Sequence, residues 1–363
     1  MKIGLVIYGE LQNQSGGYLY DQKLVEYLTR CGDQVEILSI PWRNYPRHLF
    51  DNFDRAFLQR LAMVQVDILL QDELNHPSLF WLNRTLHKEN RWSIISIVHH
   101  LRSSELHSRL MLPGYRLVER LYFQTVEGCI YNSQTTRKVV EDFTGRSIPG
   151  VVATPAGDRF QIGMQADDVV RRAHQTGELG LLFVGNVIAR KGLHDLIDGL
   201  VPLAGQPWKL TLVGSTNVDP AYTALCKGLA ERGGISSQIH WIGRLEVDAL
   251  QTLYQRSHVL MVPSSYEGFG IVYLEAMLFG LAVVGGTLGA AGEMIVPGVN
   301  GELIAPGDIH AITEFVRKMM NDRAILAAYG CSALQRAAEF PGWDESMSHA
   351  RDFLVEIAAG RDR

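Results

Sequence analysis

Short apolar runs alternate with amphipathic stretches along the chain. In the first half, Lys2–Tyr8, Gln34–Ile40, Val66–Leu70, Ser93–Val98, Gly128–Tyr131 and Ser147–Ala153 read as strands. They are apolar on both faces rather than alternating, as parallel strands are when helices cover both sides. Helices fit between them, as at Asp21–Arg30 and Pro113–Thr125. The pattern restarts at Gly180–Gly185 and runs on through Trp208–Gly214, Ile239–Ile242, His258–Val262 and Leu281–Val284. This β-α-β-α order predicts two doubly wound α/β sheets in tandem. The periodicity breaks at Thr154–Gln165, with Pro155, Gly157 and Gly163, which places the domains at 1–157 and 158–343. A last amphipathic stretch, residues 344–359, predicts a helix with the first domain as a docking surface. Ligands of such sheets sit beyond the carboxyl ends of the strands, so two facing sheets would share one central cleft.

Size and charge agree with two soluble domains. The chain has 363 residues, more than one core usually serves, and 47% of them are hydrophobic. A net charge of −5 argues against a nucleic-acid coat. Residues 1–157 hold 17 Lys+Arg against 16 Asp+Glu, and the remainder 17 against 23, so the halves suit different partners. Cys31, Cys129, Cys226 and Cys331 form no CxxC pair and read as reduced, buried thiols in a cytosolic protein. Glu10 arrives too early for a signal peptide, and no apolar run approaches the roughly 20 residues that span a bilayer. The expected location is cytoplasmic, with room for contact at the inner face of the membrane.

The densest chemistry lies in Ser264–Gly280, which follows a predicted strand and opens a helix. Gly268 and Gly270 let the backbone approach a ligand, and the helix start offers free N–H groups to an anion such as a diphosphate. Glu267 precedes that helix. Glu275 lies within it among Ile271, Val272, Leu274 and Met277, where a carboxylate needs a partner. Ribose hydroxyls for Glu275 and sugar hydroxyls for Glu267 would serve; a cap for Glu267 and an arginine for Glu275 is the plainer alternative. A second loop, after Gly185, carries Arg190 and Lys191 to neutralise diphosphate on a leaving nucleotide. Gly16-Gly17 suits close approach but lacks the full dinucleotide motif. His99-His100 ends a strand, so one of the two faces the ligand edge, and no further His or Cys stands at metal-ligand spacing. The basic, aromatic stretch Pro41–Arg60 reads first as an exposed helix face, then as a surface for an anionic acceptor or lipid.

These strings resemble family 4 of the glycosyltransferases, the retaining enzymes of the GT-B fold, over nearly the whole chain and most strongly from Leu181 to Asp308. Glu267 and Glu275 match the family's E-x7-E signature, and Glu293 matches the acidic residue after the next Gly-rich loop. Gly16-Gly17, His99, Asn132-Ser133 and Pro155-Ala156-Gly157 also fall where the family has comparable features. The resemblance implies a hexosyl transfer from a nucleotide-diphosphate sugar to a hydroxyl acceptor on a glycan, lipid or small molecule, with no metal and no other cofactor. It further implies that Glu275 binds ribose and that Glu267 with Gly268, Phe269, Gly270 and Ile271 holds the donor. Lys191 with Arg190 would meet the diphosphate, Gly243, Arg244 and Leu245 the base, and Gly17 and His99 the donor from the first domain. Two departures stand out: Asn186 replaces the arginine common after Gly185, and His99-His100 replaces a His-Asp pair. A non-catalytic nucleotide-sugar-binding subunit and an epimerase of the same fold are the alternatives. Peripheral membrane contact through the first domain is part of the same expectation, whereas nucleic acid is not an expected partner.

Overall fold

The structure, a computed structural model, describes residues 1–13, 15–86, 92–160 and 163–361. Gln14 of the first glycine loop and Gln161-Ile162 of the predicted linker therefore lie outside the described residues. The chain divides into one unit of residues 1–155 with 343–363 and a second of residues 156–342.

The first unit is built on six parallel strands: β1 (Lys2–Tyr8), β2 (Gln34–Ile40), β3 (Ile68–Asp72), β4 (Ser93–Val98), β5 (Gly128–Tyr131) and β6 (Gly150–Val152). Their order is β2-β1-β3-β4-β5-β6. β3 and β4 are buried at every position, which explains their lack of alternation. The final helix, Trp343–Arg361, belongs to this unit, where Arg351 donates to Asp33 at 2.7 Å.

The second unit repeats the architecture with β7 (Leu179–Val184), β8 (Trp208–Val213), β9 (Ile239–Gly243), β10 (Val259–Met261), β11 (Ala282–Gly286) and β12 (Gly301–Ile304). Its order is β12-β11-β10-β7-β8-β9, again all parallel. In each sheet the order reverses beside the first strand, between β1 and β3 in one and between β7 and β10 in the other. Such a reversal opens a crevice at the carboxyl edge, because the flanking connections leave to opposite faces.

Several expectations need correction. β3 lies two residues later than Val66–Leu70, because Gln71 and Asp72 are polar yet buried in the sheet. β6 keeps only three of the seven residues predicted for it, and β12 is an additional strand. The first helix starts at Gly16, not Asp21, because the Ser15 hydroxyl accepts from the Tyr18 amide and caps it there. Cys129 and Cys226 are buried, but Cys31 is exposed.

Candidate functional site

The reversal in the second sheet brings together the loops that follow β7 and β10, two hydrogen-bonded neighbours. The first loop carries Arg190 and Lys191, and the second carries Ser264 to Gly270. They are bound to each other directly: the Ser265 amide donates to the Arg190 carbonyl at 2.8 Å. Gly192 makes this approach possible. It has φ +69°, and a Cβ there would lie 2.1 Å from the Pro263 carbonyl oxygen.

Glu267 is the hub. Its Oε2 accepts from Lys191 Nζ at 2.5 Å and from the Ser264 hydroxyl at 3.1 Å, while Arg190 Nη1 lies 3.6 Å from Oε1. Arg190 also donates to the Tyr266 carbonyl at 2.7 Å. Burial alone raises a carboxylate pKa, but Lys191 and then Arg190 outweigh it and hold Glu267 at about 2. Burial likewise lowers the Lys191 pKa against the pull of Glu267. Glu267 is therefore an ionised acceptor, with no proton to donate at neutral pH.

Gly270 caps the helix Ile271–Leu278 with φ +93°. A Cβ there would meet the Tyr273 ring at 2.4 Å, so the tight turn requires glycine. Gly268 and Phe269 precede this turn; Phe269 is buried, packing edge-on to Phe340 at 6.3 Å. The Tyr273 amide already donates to the Gly270 carbonyl at 2.9 Å, so the amides that an α-helix start can turn toward an anion are those before it, at Ile271 and Val272.

Glu275 sits one turn deeper and is fully buried. Arg159 donates to it from Nε at 2.5 Å and from Nη2 at 3.1 Å, and the Tyr254 hydroxyl adds a bond of 3.0 Å. This is the arginine pairing named as the plainer alternative from sequence. Arg159 was missed there, since a lone arginine in a broken stretch carries no pattern. Gly243, at the end of β9, and the following Arg244 and Leu245 stand at the carboxyl edge of the outermost strand on that side. Arg244 is exposed. Asn186 has a structural role: its Oδ1 accepts from the Ser215 amide at 3.4 Å.

The reversal in the first sheet carries a different set. His99 follows β4, Asp72 ends β3 and Asp21 lies on the helix Gly16–Arg30. His99 Nε2 is 3.5 Å from Asp21 Oδ1. The Asn132 side-chain Nδ2 donates to the His99 carbonyl at 2.8 Å, and a Cβ on Gly17 would lie 3.3 Å from the His99 ring. His100 turns aside to Glu105, at 2.9 Å. Nearby, buried Glu73, His76 and Glu119 form a second group, in which Tyr45 meets His76 Nε2 at 3.0 Å. Asp21, Asp72 and Glu119 were not singled out from sequence; only Asp72, at the end of a strand, occupied a position that could have flagged it. Among the described residues, each group offers three ligand atoms within 4.8 Å of one another.

The exposed apolar residues differ between the units. Trp42, Phe50, Phe53, Leu110 and Met111 are exposed in the first, near Arg43, Arg47 and Arg109 in the sequence. Among the described residues, no helix is long and apolar enough to cross a membrane.

Residues 165–336 match the family model of the glycosyl transferases group 1. An uncharacterized glycosyltransferase of Methanocaldococcus jannaschii is 32% identical over 187 residues, 51% of this chain and 44% of that protein. The chain spans about half the length of the curated relatives it matches. Sucrose-phosphate synthase from Thermosynechococcus elongatus superposes with a TM-score of 0.84 at 19% identity, covering 99% of this chain and 100% of that one. Anabaena HepE in complex with UDP-glucose superposes with a TM-score of 0.77 at 18% identity, covering 98% and 100%. The fold is thus GT-B, with two Rossmann-like units, and the match to the group 1 glycosyltransferase model falls within the second unit.

Proposed function

We propose that the chain is a retaining glycosyltransferase that moves a hexosyl unit from a nucleotide-diphosphate sugar to a hydroxyl acceptor without a metal ion. One observation carries the reading: Lys191, Arg190, Glu267 and the start of the helix Ile271–Leu278 converge where the order of the second sheet reverses. The group 1 match over residues 165–336 and the UDP-glucose bound by HepE support it.

In this reading the diphosphate lies against the amides at Gly270 and Ile271 with Lys191 and Arg190 beside it. As the bond from the sugar C1 to the β-phosphate oxygen breaks, that oxygen gains charge, and fixed cations are most effective there because they need no reorganisation. The acceptor oxygen bonds to C1 on the face the phosphate leaves, and its proton passes to the departing phosphate. Glu267, ionised and held by Lys191, accepts from sugar hydroxyls. Backbone and side chain at Gly243, Arg244 and Leu245 meet the base. Within the first unit, Gly17 and His99 are the residues this reading assigns to substrate contact.

Glu275 binds the ribose hydroxyls in this proposal, which requires Arg159 to yield part of its hold. Glu275→Ala is then expected to weaken nucleotide binding about tenfold or more, while Arg159→Ala leaves it equal or tighter. Equal losses in both variants, by calorimetry, would make Glu275 a purely structural residue.

The deciding experiment titrates uridine, guanosine and adenosine diphosphate sugars by calorimetry, then follows sugar release and transfer with the donor that binds. Binding together with turnover supports the proposal. Binding with neither release nor transfer to any acceptor favours the non-catalytic subunit, and no binding at all removes the donor site.

A further inference from the structure

We propose that Asp21 is a positioning residue which, together with Asp72, keeps His99 doubly protonated, so that the first unit presents its substrate with a cation rather than a neutral imidazole. This deepens the transferase reading and rests on it for the identity of the substrate.

The argument begins with a carboxylate in an unusual place. Asp21 is fully buried, and among the described residues neither of its oxygens has a hydrogen-bond partner. A lone carboxylate in such a position is strongly unfavourable unless a charge of opposite sign offsets it. Among the described residues, the ion-pair partner of Asp21 is His99, whose Nε2 lies 3.5 Å from Oδ1. Asp72 faces the same ring from the end of β3, with its Oδ1 fixed by the Leu74 amide at 2.9 Å.

The ring itself has little freedom. Tyr20 packs edge-on to it at 5.4 Å, Gly17 lies against its Cδ2 edge, and Asn132 anchors the backbone carbonyl. The titratable groups that face it are Asp21 and Tyr20 from the first helix, and Asp72 and Glu73 from β3 and the turn beyond. His100 is engaged with Glu105 instead. Burial disfavours the imidazolium, but Asp21, Asp72 and Glu73 together outweigh it and lift the His99 pKa to about 9. Burial also pushes Asp72 up, with the Asp21 charge adding to the effect. The imidazolium therefore directs one N–H toward Asp21 and keeps the other for a substrate oxygen, and 15% of the side chain is exposed for that contact. A neutral ring would have to choose between the two.

The test follows the His99 ring resonances by NMR against pH in the full chain, with assignment by His99→Gln. In the wild type the ring should remain charged beyond pH 8, and in Asp21→Asn it should titrate nearer the ordinary histidine value of about 6.5. The basic limb of the transfer rate should move down with it, and the variant should regain rate as the pH falls, whereas His99→Gln is slow at every pH. A wild-type His99 that titrates in the ordinary range overturns the proposal, whether or not Asp21→Asn folds, and Asp72→Asn offers a second variant. Ring signals displaced by zinc chloride, together with a rate abolished by EDTA and restored by zinc, would also overturn it in favour of a bound cation. A high titration point that Asp21→Asn lowers supports it even if no nucleotide sugar is turned over; in that case the transferase reading fails alone.

Discussion

The two units share one architecture and carry opposite electrostatic centres. In the second, a carboxylate, Glu267, is held by the cations Lys191 and Arg190; in the first, an imidazole, His99, is held by the carboxylates Asp21 and Asp72. Both centres stand at the carboxyl edge, where the strand order reverses. The sheets therefore fix where a site forms, and the few residues after each strand fix its sign. A fold alone does not define an activity for this reason.

Breaking the cationic centre should have the largest effect. Lys191→Ala removes the charge proposed to meet the leaving diphosphate and should lower the transfer rate on the order of 10²–10³-fold. It should also lower the thermal midpoint, because buried Glu267 loses its ion-pair partner. An unaltered rate with the donor found by calorimetry would show that the second centre is structural.

Next in size is the backbone that holds this centre together. Gly192→Ala places a methyl group against the Pro263 carbonyl in a left-handed conformation, so the loops after β7 and β10 must separate. A loss of roughly 1–3 kcal/mol in urea unfolding is expected, together with weaker nucleotide binding. Gly205→Ala, also at positive φ but with open space around its Cβ, serves as the strain-only control.

The smallest expected effect sharpens the contrast most. Glu267 has its pKa lowered from 4.5 to about 2, so its contribution to stability is complete above pH 4.5 and lost as pH falls through 2. His99 has its pKa raised from 6.5 to about 9, so its contribution is complete below pH 6.5 and lost as pH rises through 9. Glu267→Gln should flatten the acid side of the thermal-midpoint profile, and Asp21→Asn the alkaline side, each by a few degrees. Identical profiles for both variants would contradict the opposition of the two centres.

β1, β4 and β5 were legible because burial on both faces leaves a continuous apolar run. β2, an edge strand, is exposed at Gln34, Glu36, Ile37 and Ser39 and so departs from the expectation of strands apolar on both faces. β1, β2, β4 and β5 begin and end where the pattern places them. β12 was not, since four residues containing Glu302 make too short a run. The cluster around Glu267 was legible from context: a strand, then glycines and a glutamate, then a helix. The opposite cluster was hidden by the same physics that makes it interesting. Asp21 reads as a polar helix residue and Asp72 falls two residues beyond the predicted strand Val66–Leu70, yet both are buried. Only the three-dimensional packing shows that they share a partner.

The terminal helix Trp343–Arg361 completes the first unit although the second is encoded before it. Besides Arg351 on Asp33, its Ser346 hydroxyl donates to the Thr154 carbonyl. During translation, then, the earlier-made half waits at the ribosome with a face uncovered until the later-made half has emerged. A stalled or prematurely stopped chain would leave that face open to chaperones, a cost in biogenesis built into the order of the gene.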